Sequence, residues 1–248
     1  DTINFKEARL TVQAQVRNNS DQSVSGNLEV QIEKINLSQE VKLEPGEVKT
    51  VVFTPDQYKE LVVINPRIWW THDLGQPELY QLFIAFRVKP PSSKDKPQPK
   101  QIRPDVKQGE KDKGKEADKD SMKIPPQFRS LEPISDWTSV KFGLREIKDY
   151  LTEEGYKGYI LNGKKILIRG GGYTDDIFLN SSSKRLRAEL NYARHLNLNA
   201  LRLEGFWGTS HELYNLCDEL GLLLMVGWSC HWEWENYLGK PVDPVYGG

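Results

Sequence analysis

The sequence is short of cysteine and has no surplus of charge of either sign, and each shortage removes a class of function. Only Cys217 and Cys230 occur in 248 residues. Two thiols cannot build a disulfide framework, and their spacing is not that of a metal-binding knuckle, so both read as buried small hydrophobes. Lys and Arg number 34 against 35 Asp and Glu, a formal net charge of -1. Binding nucleic acid or an anionic membrane needs a concentrated basic face, so neither partner is expected. No segment reads as spanning a bilayer or as a signal peptide, and Asp1 as first residue suggests a trimmed chain, which leaves the compartment open.

What remains is 38% hydrophobic and 28% charged, enough for two ordinary domains. The first part alternates apolar and polar residues with period two over Arg9 to Arg17, Gly26 to Glu33, Gly46 to Phe53 and Leu79 to Val88. Turn formers at Asn18 to Asp21, at Pro45 and Gly46, and from Asn65 to Pro77 separate these runs. That pattern predicts an antiparallel, immunoglobulin-like β-sandwich. Trp69 and Trp70 read either as a stacking platform for a sugar or as structural, one plugging the sandwich core and the other resting on a neighbouring domain.

From about residue 90 to 130 the chain is Lys, Asp, Glu, Gln and Pro with almost no large apolar side chain. Such a stretch cannot bury enough surface to offset its ordering entropy, and it reads as a disordered surface insertion in a sandwich hairpin. Strand-like alternation returns at Leu131 to Gly143, which puts the domain boundary near Arg145: a sandwich over 1–145 and a second domain over 146–248.

Beyond the boundary, strand and helix alternate. Asn162-Gly163 between Tyr159 to Leu161 and Lys165 to Ile168 is a hairpin signal, since both turn positions require positive φ. Ser181 to Ser183 cap a helix over Lys184 to Leu196; a strand follows at Asn199 to Leu203. A second helix is capped at Thr209 or Ser210 and stops at Gly221, and Leu222 to Val226 reads as a strand buried on both faces. This βαβαβ order predicts a parallel sheet.

Parallel α/β folds bind ligands at the carboxyl ends of their strands. Gly170 to Asp176, Glu204 to Trp207 and Gly227 to Trp232 follow the three predicted strands, and they carry carboxylates beside aromatic rings. Carboxylates grip hydroxyls or an amine while rings cover the apolar face of a sugar, so the rim suits a carbohydrate. Each residue also has a structural reading. Glu204 pairs with Arg202 or Arg169, Asp175 caps the next segment, and the tryptophans are core. Gly170-Gly171-Gly172 lacks the spacing of a phosphate loop, and Cys230 with His231 lacks a second ligand pair, so neither nucleotide nor metal is expected.

Four stretches in order, NPRIWWTHDLGQPELY (65–80), FGLREI (142–147), LNGKKILIRGGG (161–172) and YNLCDELGLL (214–223), resemble glycoside hydrolase family 2. The resemblance implies an immunoglobulin-like sandwich followed by the first βα units of a (β/α)8 TIM barrel, incomplete here. Within the family, GGGYTDDIF (170–178), RLEG (202–205) and GWSCHWEWE (227–235) are similar to the exo-β-D-glucosaminidases, with β-mannosidase or another exo-glycosidase of the family as the alternative. A non-catalytic carbohydrate-binding module is the alternative of another class. By this resemblance Glu204 recognises a protonated amine, Asp176 and Asp175 bind hydroxyls, and Trp228 and Trp207 line the pocket. Arg202 supports the nucleophile. Retention uses two carboxylates roughly 5 Å apart, which the resemblance assigns to later strands rather than to Glu233 or Glu235. It also implies an amino-sugar oligosaccharide as substrate, no cofactor, the remaining domains of the same polypeptide as neighbours, and a secreted or periplasmic location.

Overall fold

A computed structural model describes residues 5–89, 134–174, 182–203 and 211–226. In chain order these form β1 (Glu7–Arg9), β2 (Val12–Arg17), β3 (Val24–Ile32), β4 (Ile35–Leu43), β5 (Val48–Phe53), β6 (Val62–Ile64), β7 (Tyr80–Val88) and β8 (Ile134–Phe142). There follow β9 (Ile147–Leu151), β10 (Lys157–Leu161), β11 (Lys164–Ile166), β12 (Gly170–Tyr173), α1 (Ser183–His195), β13 (Ala200–Leu203), α2 (Glu212–Leu220) and β14 (Leu223–Val226). The insertion at 90–130 lies outside the described residues. The chain divides into two compact units interleaved in sequence, one of residues 13–52 and 83–139, the other of 1–12, 53–82 and 140–248.

The first of these units is antiparallel. β3 and β4 pair from Val24↔Leu43 to Ile32↔Ile35 around a tight turn at Glu33 (φ 51°), within a sheet ordered β4-β3-β7-β8; β2 pairs with β5. Leu28, Val30 and Ile32 are buried at every second position of β3, as one-sided burial of a strand requires. β4 escapes the sequence reading because Ser38, Gln39 and Glu40 interrupt its alternation, leaving Leu37, Val41 and Leu43 as its buried residues. Buried Asn18 donates its amide to the carbonyls of Gln22, Leu43 and Glu44, which is what its position among turn formers demands. Arg87, almost fully buried, donates from Nε to both carboxylate oxygens of Glu29 at 2.9 Å.

Among the described residues, the other unit holds three sheets: β1 with β6, the antiparallel β11-β10-β9, and the parallel β12-β13-β14. The hairpin β10–β11 turns at Asn162 (φ 49°) and Gly163 (φ 78°), as expected. β9 carries no buried residue, so no alternation announces it. The parallel register runs Gly170↔Ala200 to Tyr173↔Leu203 and Ala200↔Leu223 to Leu203↔Val226. α1 is N-capped by Ser182, whose hydroxyl accepts from the Arg185 amide, and α2 ends at left-handed Gly221 (φ 72°). Leu186, Leu190 and Ala193 of α1 and Leu213, Leu216 and Leu220 of α2 pack with Leu201, Leu203 and Leu222 into one core.

Three expectations are corrected. His211, with no side-chain capping bond, occupies the N-cap of α2 in place of Thr209 or Ser210. Gly170 to Gly172 form β12 itself rather than a loop after a strand; a strand without side chains has no alternation to read. β14 is half-buried to exposed rather than buried on both faces, because among the described strands it is outermost and has only β13 as neighbour. Trp69 is fully buried on Gly143 and α2, in line with the structural reading in which one of the two tryptophans rests on the chain beyond the predicted boundary.

Candidate functional site

The parallel sheet has two faces, and side-chain alternation along β13 assigns them. Leu201 and Leu203 enter the core with α1 and α2, so Arg202 stands on the opposite face, where it is exposed. Register places Gly172 of β12 and Met225 of β14 beside it, and Met225 is exposed as well. A guanidinium on a strand, flanked on one side by a residue without a side chain, can present its planar fork to a carboxylate or to ligand oxygens. Of the residues to which the family resemblance gives a role, Arg202 alone is described. Glu204, Asp175, Asp176, Trp207 and Trp228 lie outside the described residues, as do Cys230 and His231.

At the carboxyl end of β12, the Tyr173 hydroxyl donates to Glu189 of α1, whose other oxygen accepts from Arg185 Nε at 2.7 Å. Burial, then the hydrogen bond and charge of Glu189, push the Tyr173 phenol above its ordinary value, so it stays protonated and keeps donating. This tie holds the carboxyl end of β12 to α1.

The opposite end of the sheet carries a polar cluster that sequence reasoning missed. Arg169, the residue before β12, donates to Asp73 and, through Nε, to the Asn197 carbonyl at 2.9 Å. It therefore lies at the amino end of the parallel sheet. Asn199, the residue before β13, is fully buried; its amide donates to Asp73 Oδ2 at 3.2 Å and to the Leu167 carbonyl at 2.9 Å, while its Oδ1 accepts from the Arg169 amide at 2.9 Å. Burial raises the Asp73 pKa, but its polar neighbours Thr71, Asn199 and Arg169, the last two hydrogen-bonded to it, outweigh that and hold the carboxyl below its ordinary value. Beside it the His72 amide donates to the Gly221 carbonyl at 3.0 Å, and His72 Nε2 donates to the Leu198 carbonyl at 2.7 Å. The one legible signal was the density of polar residues in THDLG (71–75), which reads as a turn.

Antiparallel sheets combined with a parallel βαβαβ unit define a chain of mixed architecture in which Arg202 stands on the sheet face opposite α1 and α2. A family model for "Glycosyl hydrolases family 2" matches residues 1–95. Exo-beta-D-glucosaminidases from Streptomyces avermitilis and Amycolatopsis orientalis are 30% and 31% identical over 95% and 92% of the chain. The chain spans about a fifth of their length, 21% and 18% respectively. The crystal structure of the exo-chitosanase CsxA of Amycolatopsis orientalis superposes with a TM-score of 0.68 at 30% identity, covering 96% of this chain and 23% of that one. A beta-glucuronidase of Bacteroides uniformis, 16% identical with a TM-score of 0.60 over 88% of this chain and 21% of its own, shares the fold. The chain belongs to glycosyl hydrolases family 2.

Proposed function

We propose that this chain is part of a retaining exo-β-D-glucosaminidase that removes terminal β-D-glucosamine from chitosan oligosaccharides. The observation that carries the reading is the likeness, over 95% of the chain, to proteins named for that activity. In this reading residues 1–145 are an immunoglobulin-like sandwich and 146–248 open a (β/α)8 barrel whose interior is the face bearing Arg202, and the whole is secreted or periplasmic. The parallel order β12-β13-β14 with α1 and α2 on one side supports the barrel.

Arg202 then orients and keeps ionised a nucleophilic carboxylate contributed by a later strand, since a neighbouring guanidinium favours the charged form. Glu204 follows β13 directly and supplies a charge-assisted hydrogen bond to the protonated C2 amine; a neutral hydroxyl would benefit less. Asp175 and Asp176 hold hydroxyls, and Trp207 and Trp228 cover the apolar ring face. Two carboxylates roughly 5 Å apart carry the double displacement, one as nucleophile and one as acid/base.

The test is hydrolysis by the full-length protein of a chromogenic β-D-glucosaminide against the β-mannoside, with Glu204→Gln alongside. The reading expects preference for the amino sugar and a loss of at least tenfold in kcat/KM for it in the variant. Preference for the mannoside, or a variant that turns over the amino sugar unchanged, overturns it.

A further inference from the structure

We infer that Asp73 is a positioning residue: through Arg169 and Asn199 it sets the register between β12 and β13, and so places Arg202 opposite Gly172. The need for such a device lies in the strand itself. Register is normally specified by the side chains that one face must bury, and a glycine-rich strand specifies it weakly. β12 is Gly170-Gly171-Gly172-Tyr173, with one side chain in four residues. Yet a slip of one residue would carry Arg202 past Gly172, because neighbours in a sheet alternate between faces.

Two pins hold this strand from its ends. At the carboxyl end Tyr173 is tied to Glu189 of α1. At the amino end Arg169 and Asn199 are the residues immediately before β12 and β13, and Asp73 Oδ2 accepts from both side chains. The Arg169 main-chain N–H donates to Asn199 Oδ1 at 2.9 Å and the Asn199 main-chain N–H donates to the Arg169 carbonyl at 2.8 Å, which closes the same pair a second time. Asn199 also passes the setting on to β14, since its carbonyl accepts from the Leu223 amide at 2.9 Å. Asp73 comes from a segment far earlier in the chain, 96 residues before Arg169 and 126 before Asn199, so it acts on the strands as an external reference. The Asp73 side chain is 12% exposed, which shields its bonds from competing water. Close approach at Gly170, where a Cβ would lie 2.6 Å from the Ala200 carbonyl oxygen, shows why this strand cannot carry its own register marks there.

The test uses Asp73→Ala, with Asp73→Asn in its place if the alanine variant fails to fold, in the full-length protein. Leu28→Ala in β3 serves as a destabilised control in the other unit. Amide hydrogen exchange is expected to quicken at least tenfold over 170–173 and 200–203 in the Asp73 variant, with β3 unchanged. No change there, or an equal change in β3, overturns the inference. Its catalytic consequence rests on the glycosidase reading: kcat falls at least tenfold with KM within twofold, whereas Leu28→Ala, assayed where it is fully folded, leaves both as in the wild type. A rise in KM with kcat retained overturns the link to Arg202. A wild-type protein that cleaves no glycoside sinks the proposed function instead, and exchange still decides the register role.

Discussion

The indole Nε1 of Trp69 donates to the main-chain carbonyl of Asp218 at 2.7 Å, across 149 residues of sequence. The Arg145 guanidinium lies 4.5 Å from the centre of the same indole and reaches the Asp218 carboxylate at 3.1 Å, while the Trp69 carbonyl accepts from the buried Asn162 amide. One aromatic residue thereby binds α2, the approach to β9 and the β10–β11 hairpin into one unit. Trp69→Ala is expected to cost about 3–5 kcal/mol through the cavity it leaves. Trp69→Phe, which keeps most of the volume but strands the Asp218 carbonyl, should cost about 1–3 kcal/mol. Urea denaturation of the three proteins checks the order.

Asp73 gives stability a pH dependence of known sign. Its folded pKa lies below the ordinary 3.8, so its contribution is complete above that value and disappears as pH falls through the folded pKa. Asp73→Asn removes this component. The stability gap between wild type and variant should therefore be constant near neutrality and narrow as pH drops from about 4 toward 2, as acid titration of thermal midpoints would record.

Two left-handed glycines should respond differently to alanine. At Gly155 (φ 83°) a Cβ meets nothing within 4 Å, so Gly155→Ala carries only the backbone strain, about 1 kcal/mol. At Gly221 (φ 72°) a Cβ would lie 2.6 Å from the His72 main-chain nitrogen, an atom that cannot swing away. Gly221→Ala should cost roughly 3 kcal/mol or more, strain and overpacking together. Equal losses in a denaturant series would contradict this account.

Burial, and then the charge of Asp218, push the Cys217 thiol up to about 12. Thiolate is the reactive form, so Cys217 should resist iodoacetamide at pH 8 in the native protein and react once urea unfolds it. Peptide mapping by mass spectrometry reads this site separately from Cys230.

Much of the fold was legible because it is periodic or local. The leucines of α1 and α2 recur at helical spacing, Asn162-Gly163 turns a hairpin by its own φ preference, and Gly221 stops a helix in any context. Arg202 sits on a short apolar strand that the pattern gave, NALRL (199–203), but its role came from the family resemblance and not from the pattern. Strands β4 and β9 were missed for a complementary reason: where few residues are buried, alternation has nothing to report.

Sequence alone determined strands β3, β7, β13 and β14, the Asn162-Gly163 hairpin and the two helix faces, since each follows from preferences acting over a few neighbouring residues. Only the tertiary structure decided that Gly170 to Gly172 are a strand, that Trp69 belongs with α2, and that Asp73 reaches Arg169 and Asn199. Those choices are made by hydrogen bonds and packing between residues distant in the sequence, up to 149 positions apart, and such contacts leave no period in the chain that makes them.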